Sequence, residues 1–302
     1  MRVVVIGAGS IGMLTAFYLS KSGHETIVWT RRTEQAAFIN EQGLKLVEQN
    51  GEIQATTVFA KPISAVTDKE DIDVAIIAVK SHQVEQVLRE INHVSLRSVL
   101  FVQNGMGHLN LFPMLSIPEI SVAVVEHGAI QMNDFTVRHT GVGRLRWSLV
   151  KESKDYIRTM FAQMGNPLFP VSFEENWLNM LQNKLVLNAC INPLTAMLHV
   201  KNGELLESEH YLQMMRIVFD EIVNILQLEN GEEKWGHVCE VCKKTAQNHS
   251  SMLVDIEQNR QTEIDSILGY LIKEANEKKF QAEVLKLLYH GIKSKENKSH
   301  SS

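Results

Sequence analysis

Hydrophobic residues in the first half of the chain fall into short, nearly continuous runs that alternate with helical patterns. Arg2–Ile6 is a β-branched run that stops at Gly7, and Ile11–Ser22 carries apolar residues at helical spacing. Such alternation is typical of a parallel sheet that helices cover on both faces. The predicted strands are Arg2–Ile6, Thr26–Trp29, Gln54–Phe59, Val74–Val79, Ser98–Val102, Ser121–Val125, Thr136–Arg138 and Leu145–Leu149, with a helix over Gln83–Ile91.

The pattern changes near Gly165–Pro170, and from Glu174 on the apolar periodicity is almost entirely helical. Around Thr136–Leu149 the strands follow one another without helices, which predicts an antiparallel edge. We therefore predict an α/β domain over residues 1–168, an all-α domain over 169–293 and a polar, disordered tail over 294–302. The predicted helices of the second domain are Trp177–Met197, Glu209–Leu228, Glu233–Asn248, Met252–Asn259, Ser266–Lys278 and Glu283–Ile292.

Composition narrows the class of protein. The 302 residues include 30 basic and 35 acidic side chains, which argues against a nucleic-acid partner and a polybasic membrane-surface protein. Cys239 and Cys242 form a CxxC with no second pair, so we expect two thiols on a helix and no metal site. No apolar run reaches the ~18 residues of a membrane span. Glycines interrupt Val3–Leu19, the one stretch that could pass for a signal peptide, so we expect a cytoplasmic protein.

The first strand and helix are joined by Gly7-Ala8-Gly9-Ser10-Ile11-Gly12, a GxGxxG sequence. A bare GxGxxG is weak evidence, but here a strand precedes it, a helix follows and a second strand comes soon after. Gly7 allows the tight turn, Gly9 lets the backbone approach a pyrophosphate and Gly12 lets the helix pack close to the strand. The phosphates would meet amides at the positive end of the helix. The motif predicts a Rossmann-type dinucleotide site, with a purely structural turn as the alternative.

The end of the second strand indicates which dinucleotide binds. A site that prefers NAD places an acidic residue there to bind the ribose 2′-hydroxyl, whereas this chain has Trp29-Thr30-Arg31-Arg32. Two guanidinium groups would bind a 2′-phosphate, with no nearby carboxylate in the sequence to repel it. This favours NADP, with Arg31 as the contact; two solvated arginines in a loop are the alternative.

Three polar clusters in the helical half are candidates for chemistry. Each also has a simple structural interpretation: a lysine and asparagines on a helix face are often only solvated, Ser250 or Ser251 could be a helix N-cap, and Thr262-x-x-Asp265 matches a capping box. Pro193 is expected to end or kink its helix. The clusters are Lys184-x3-Asn188-x3-Asn192-Pro193, Asn248-His249-Ser250-Ser251 and Arg260-Gln261-Thr262-Glu263-Ile264-Asp265.

Together with the glycine loop, these clusters resemble the ketopantoate reductases, the NADPH-dependent 2-dehydropantoate 2-reductase family. The resemblance covers nearly the whole chain, and its most specific segments are KLVLNACINPLTA and NHSSMLVDIEQNRQTEID. That family reduces the ketone of 2-dehydropantoate to (R)-pantoate, on the route to pantothenate and coenzyme A. The resemblance therefore implies this activity and an NADPH cofactor. Shorter matching segments are Val79-Lys80-Ser81, Gln103-Asn104-Gly105-Met106-Gly107 and His127-Gly128-Ala129.

The resemblance also implies roles for individual residues. Lys184 matches the family's catalytic lysine and Glu263 its partner carboxylate. A lysine ammonium suits this reaction, because hydride delivery to a ketone develops negative charge on the oxygen, which an ammonium stabilises and protonates. The implied substrate-pocket residues are Asn104, Asn188, Asn192, Asn202, Asn248 and Ser251, and the implied cofactor-side residues, besides the glycine loop and Arg31, are Lys80, Asn104, Ala129 and Glu263.

One departure from the family pattern concerns the pocket wall, because Gln182 stands where a tryptophan is common two residues before the catalytic lysine. We predict a two-domain NADPH-dependent reductase, monomeric or homodimeric, with its active site in the interdomain cleft and a small-molecule substrate. A reductase of another branched 2-keto acid and a non-catalytic NADPH-binding sensor are the alternatives. Lys184 and Glu263 argue against the sensor, which needs neither residue.

Overall fold

The structure is a computed structural model that describes residues 1–151 and 154–298. These residues divide into two compact units. The first, here called the α/β unit, comprises Met1–Gln103 and Leu111–Met180, and the second, the helical unit, comprises Asn104–Asn110 and the chain from Leu181 on. The sequence places the boundary at residue 168, whereas the α/β unit continues to Met180 and a short segment from mid-chain joins the helical unit.

The α/β unit contains strands and helices that alternate through its first half. Its helices are α1 (Ser10–Lys21), α2 (Thr33–Gln42), α3 (Val84–Glu90) and α4 (Tyr156–Ala162). Its strands are β1 (Arg2–Ile6), β2 (Glu25–Thr30), β3 (Leu44–Val47), β4 (Ile53–Thr56), β5 (Phe59–Pro62), β6 (Asp71–Ile77), β7 (Ser95–Phe101), β8 (Glu119–Val125), β9 (Gly128–Gln131), β10 (Thr136–Gly141), β11 (Leu145–Lys151) and β12 (Val171–Phe173).

The main sheet has the order β12-β11-β8-β7-β6-β1-β2-β5, and β1 lies inside it with parallel neighbours on both sides. Because both faces of β1 are covered, Val3, Val4 and Val5 have no exposed surface. β11 runs antiparallel to β8, as the sequence predicts for this end of the sheet. These strands, followed by helices, confirm the predicted fold class, an α/β Rossmann-type domain followed by an all-α domain.

A second sheet with the order β4-β3-β10-β9 was not foreseen. The prediction of one strand over Gln54–Phe59 is wrong, because β4 ends at Thr56 in the small sheet and β5 starts at Phe59 in the main sheet. The predicted strand at Thr136–Arg138 exists as part of β10, but it pairs with β3 and β9 rather than with the main sheet.

The helical unit is built on a long helix whose interior contains a proline. Of the two outcomes expected for Pro193, an end or a kink of the helix, the end does not occur, because the helix continues to Leu198. The Thr195 hydroxyl lies within hydrogen-bond distance of the carbonyl oxygens of Ile191 (2.9 Å) and Asn192 (3.0 Å), in the turn that contains the proline. The helices are α5 (Trp177–Leu198), α6 (Glu204–Glu207), α7 (Glu209–Leu226), α8 (Gly231–Lys244), α9 (Ser251–Glu257), α10 (Tyr270–Lys278) and α11 (Glu283–Lys298), with a π-helical turn at Asp265–Gly269.

The chain near its end departs from the prediction as well. A disordered tail is expected from Ser294, whereas α11 continues to Lys298, and residues 299–302 of that tail lie outside the described residues. The polar sequence stays helical because one of its side chains, Glu296, is buried and hydrogen-bonded. Among the helices of the described residues, none is long and apolar enough to cross a membrane.

Candidate functional site

The glycine loop between β1 and α1 divides into glycines that the fold requires and one that it leaves open. Gly7 has φ +106°, and a Cβ on Gly12 would lie 1.8 Å from the carbonyl oxygen of Gly7. A Cβ on Gly9 would meet no protein atom within 4 Å. Gly7 and Gly12 therefore serve the turn and the close packing of helix on strand, while the backbone at Gly9 is open to a ligand.

The start of α1 is suited to an anion. Its N-cap is Gly9, which has no side chain that could accept hydrogen bonds from the first backbone amides of the helix. The first turn contains no acidic residue that would repel an anion, and no other side chain of the described residues caps it. Free amides and the positive end of the helix dipole attract phosphate. Gln35, on α2, donates from Nε2 to the carbonyl of Ala8 (2.9 Å) and so holds the loop from outside. Sequence reasoning missed Gln35, since no motif marks it.

The two arginines after β2 have different surroundings. Arg32 forms an ion pair with Asp134, which lies in the turn between β9 and β10. Arg31 is exposed, and its side chain makes no hydrogen bond or ion pair with any residue in 1–151 or 154–298. The expectation that no carboxylate lies near these arginines is therefore wrong, because a residue about 100 positions away in sequence supplies one to Arg32. Of these two arginines, only Arg31 has a guanidinium without a partner among the described residues.

Two further predicted cofactor-side residues also belong to the α/β unit. Lys80 follows β6 and is half-buried, and its backbone amide donates to Gln83 Oε1 (3.3 Å) at the start of a short helical turn. Ala129 is half-buried on β9, opposite His139 of β10.

A row of buried polar side chains lies beside Ala129. The Tyr18 hydroxyl lies 3.2 Å from His139 Nδ1, and His139 Nε2 lies 3.1 Å from His127 Nδ1. Burial lowers the pKa of His127 to about 4 and also lowers the pKa of His139, and it raises the pKa of Tyr18 to about 12. All three side chains are therefore neutral near pH 7. His127, the first residue of the His127-Gly128-Ala129 motif, thus belongs to a buried hydrogen-bonded row of the α/β unit.

In the helical unit, α5 presents Lys184, Asn188 and Asn192 on one face, because residues four apart in a continuous helix lie above one another. The interior proline does not disturb this spacing. Lys184 is half-buried, and Asn188 and Asn192 are each 8% exposed. The structure thus brings together the three residues of the first predicted cluster.

Asn104 connects this helix face to Glu263. Asn104 Nδ2 donates to Glu263 Oε2 (2.9 Å), and Asn104 Oδ1 accepts from Asn188 Nδ2 (3.4 Å). An amide is suited to this position because it donates to a carboxylate on one side and accepts from an amide on the other. Residues 84 and 159 positions away from Asn104 in sequence are joined in this way.

The backbone beside Asn104 packs tightly on the segment that follows Glu263. Gly105 has φ +76°, and a Cβ there would lie 2.2 Å from the carbonyl oxygen of Ser266. The Ser266 hydroxyl donates to the carbonyl of Asn104 (3.1 Å), and Met106 N–H donates to the Ser266 carbonyl (2.9 Å). These contacts explain why position 105 of the Gln103–Gly107 motif is a glycine, and they fix Asn104 relative to Glu263.

The two serines at the start of α9 separate into a structural and an exposed residue. Ser250 is the N-cap, since its Oγ accepts from Leu253 N–H (3.1 Å), and it also receives the Thr195 hydroxyl (2.7 Å). Ser251 is exposed, and its Oγ receives Asn192 Nδ2 at 3.4 Å. The capping interpretation is correct for Ser250, and Ser251 lies beside the α5 face.

Asn202 and Asn248 are linked through backbone, since Asn202 N–H donates to the carbonyl of Asn248 (3.0 Å). Asn202 is 8% exposed and donates from Nδ2 to the Thr245 hydroxyl (2.9 Å). Its Oδ1 is buried and accepts no hydrogen bond from the described residues, whereas the side chain of Asn248 is exposed.

A capping box at Thr262-x-x-Asp265, the structural alternative for this cluster, does not form, because the next helical turn starts after Ile264 without a side-chain cap. The Thr262 hydroxyl accepts from Ile264 N–H (3.2 Å), and it donates to Glu296 Oε1 (2.6 Å). Glu296 is a residue that sequence reasoning placed in a tail. Within the described part of the chain, no group of three or more His, Cys, Asp or Glu side chains could hold a metal ion.

Comparisons with known proteins agree with this arrangement. The family model described as Ketopantoate reductase PanE/ApbA matches residues 3–152, and its C-terminal counterpart matches residues 176–296. The chain is 41% identical over 301 residues to a 2-dehydropantoate 2-reductase of Bacillus subtilis, covering 99% of both proteins. It is 35% identical to a 2-dehydropantoate 2-reductase of Listeria monocytogenes, covering 99% of this chain and 98% of that protein.

A solved structure is similar to this chain over almost its whole length. The crystal structure of a probable 2-dehydropantoate 2-reductase from Bacillus subtilis superposes with a TM-score of 0.88 at 42% identity, covering 98% of this chain and 100% of that one. Both halves of the chain match the family, and the similarity extends over its full length. The chain therefore belongs to the ketopantoate reductase family, oxidoreductases that use NADPH.

Proposed function

We propose that the protein reduces the ketone of 2-dehydropantoate to the alcohol of (R)-pantoate, with Lys184 as the general acid. The relatives named above carry this activity in their names. The observation that carries the proposal is the position of Asn104, whose amide bonds Glu263 and also Asn188, one turn from Lys184 on the same helix face. A polar cluster of this composition suits a small anionic substrate that carries a ketone and a hydroxyl.

The reaction needs a hydride and a proton, and bound NADPH supplies the hydride to the ketone carbon. As the C=O π electrons move onto oxygen, the Lys184 ammonium stabilises the negative charge and donates its proton there, which leaves a neutral amine. Glu263 and Asn104 hold the surrounding polar groups in place. A later proton from water restores the ammonium.

The remaining residues of the cluster bind the substrate. Asn192 and Ser251, 3.4 Å apart, provide donors for its carboxylate, and Asn202 Oδ1 accepts from its hydroxyl. Neutral amides and hydroxyls orient the substrate without adding a second charge next to Lys184. On the cofactor side, the amides at Gly9–Gly12 would hold the pyrophosphate, and Arg31 would hold the 2′-phosphate. Lys80 and Ala129 complete the proposed cofactor residues.

The test is NADPH oxidation, followed at 340 nm, with 2-dehydropantoate and a panel of other branched 2-keto acids. We expect 2-dehydropantoate to have the highest kcat/KM of the panel. A higher kcat/KM for another 2-keto acid would make that acid the substrate and 2-dehydropantoate wrong. NADPH binding without turnover of any of these acids would indicate a sensor. The same preparation, measured by light scattering, tests the accompanying prediction of a monomer or homodimer. The cytoplasmic location likewise stays part of the proposal.

A further inference from the structure

The segment that carries Glu263 is held by a buried carboxylate near the end of α11. Thr262 N–H and the Thr262 hydroxyl both donate to Glu296 Oε1, at 2.8 and 2.6 Å. Thr262 is 1% exposed and Glu296 7%. Since one carboxylate oxygen accepts from the backbone and the side chain of the same residue, it fixes the main chain and the rotamer of Thr262 together.

The support continues on the other side of Glu263. Ile264 N–H donates to the Thr262 hydroxyl, so the residues before and after Glu263 both connect to Glu296. Lys293 Nζ lies 2.8 Å from Glu296 Oε2 and 3.3 Å from Asp265 Oδ2, and its positive charge balances the buried carboxylate. This arrangement makes an ionised Glu296 tolerable inside the unit.

We propose that Glu296 is a positioning residue of the reductase, which acts through Thr262 to hold the Glu263 carboxylate against Asn104. The inference rests on the role proposed above for Glu263. The contacts of Glu296 that carry this inference are those with Thr262 and Lys293. Because a displacement of about 1 Å can cost ~10²-fold in rate, loosening the segment 262–264 should affect the chemical step more than cofactor binding.

The first measurement is kcat for Glu296→Ala, which we expect to fall about 10- to 100-fold while the Kd of NADPH, from fluorescence titration, stays within about twofold. Glu296→Gln keeps an oxygen that can accept both Thr262 bonds and should recover most of the rate. Because Glu296 acts through Glu263, the double variant Glu263→Ala/Glu296→Ala should be no slower than Glu263→Ala alone. Thr262→Val, which removes only the hydroxyl, is a milder second test, and Thr262→Ser should restore the rate.

The matched control is Glu221 of α7, whose carboxylate binds the first turn of α11, at the opposite end of that helix from Glu296. The Glu221 carboxylate accepts from Val284 N–H (3.3 Å) and Leu285 N–H (2.8 Å), so Glu221→Ala loosens α11 without touching Thr262. All variants are assayed at a temperature where circular dichroism shows them folded. A loss of kcat in Glu221→Ala equal to that in Glu296→Ala, or additive losses in the double variant, would overturn the inference. If Glu263→Ala itself left kcat unchanged, the proposed catalytic role and this inference would both be wrong.

Discussion

The glycine loop of the α/β unit and the amide cluster of the helical unit are built in different ways. The loop is six consecutive residues whose function depends on backbone and on the lack of side chains. The cluster consists of side chains, and its central bond joins Asn104 to Glu263, 159 residues apart. Backbone amides bind any phosphate of suitable shape, whereas placed side chains select one substrate and supply a proton. On the function proposed above, the molecule would use a backbone site for the cofactor and a side-chain site for the chemistry.

Substitution of Lys184, in the helical unit, should cause the largest loss of activity. Lys184→Ala removes the general acid, so we expect kcat to fall by about 10²- to 10⁴-fold while NADPH still binds. Glu263→Ala should lose less, and the double variant should show non-additive losses because the two residues act on one reacting group. The assays are steady-state kcat/KM and a separate NADPH titration. More than about a tenth of the wild-type kcat in Lys184→Ala would contradict its role.

The glycine loop should respond to two alanine substitutions in opposite ways. Gly12→Ala places a Cβ 1.8 Å from the Gly7 carbonyl oxygen and should destabilise the free protein by several kcal/mol. Gly9→Ala meets no protein atom within 4 Å, so the free protein should melt nearly as before while NADPH affinity falls. Thermal melts with and without NADPH distinguish the two. Normal NADPH affinity in Gly9→Ala would show that no phosphate approaches there.

Cofactor choice distinguishes the two arginines. Arg31→Ala should weaken NADPH binding by about 1.5–3 kcal/mol, the cost of losing one hydrogen bond to a charged group, with little effect on NADH. Arg32→Ala should cost less, because Asp134 already pairs with Arg32. Titrations with both cofactors measure this. Equal losses of NADPH and NADH in Arg31→Ala would mean that Arg31 does not bind the 2′-phosphate.

The pH dependence of stability should come mainly from the α/β unit. Burial lowers the pKa values of His24, His127 and His139, which lie in that unit, and that of His127 to about 4. In the helical unit it lowers the pKa of one histidine, His108, also to about 4. Below pH 6.5 the unfolded chain binds protons that the folded chain does not. Stability is therefore complete above pH 6.5 and falls towards pH 4, by up to about 1.4 kcal/mol per pH unit for each such histidine. Melting temperatures from pH 8 to 5 test this, and His127→Gln should give a flatter curve.

The smallest effect concerns neighbouring serines. Ser250→Ala removes the N-cap of α9 and should cost about 1 kcal/mol of stability with kcat nearly unchanged. Ser251→Ala should leave the melting temperature unchanged and raise KM for 2-dehydropantoate. Melts and kinetics on both variants provide the comparison, and a raised KM in Ser250→Ala alone would reverse the assignment.

What could be predicted from sequence follows from how local each interaction is. The glycine loop, α1 and β1 are consecutive, so motif and periodicity locate them correctly. Gln54–Phe59 was misread because its apolar pattern spans two short strands that belong to different sheets. Asp134 and Gln35 carry no motif, and only the folded chain brings them to Arg32 and Ala8.

The candidate site shows the same limit. The resemblance assigns Asn104, Asn188 and Glu263 to one site, and the structure joins them by hydrogen bonds. The sequence could not distinguish Ser250 from Ser251, which depends on where α9 starts. Glu296 lies in a sequence so polar that it reads as a tail, and its role becomes visible only through Thr262. A low hydrophobic content at the end of a chain does not exclude a buried charge that anchors it.

The long separation between Asn104 and Glu263 also sets an order of events during synthesis. The glycine loop and its packing partners up to Val79 leave the ribosome before Glu263 and Glu296 do. At about 5–20 residues per second, the interval between Val79 and Glu296 is roughly 10–40 s. A nascent chain therefore carries the complete cofactor loop long before it carries the residues that complete the amide cluster. A chain that terminated before Glu296 would keep its glycine loop but would lack the carboxylate that holds the segment around Glu263.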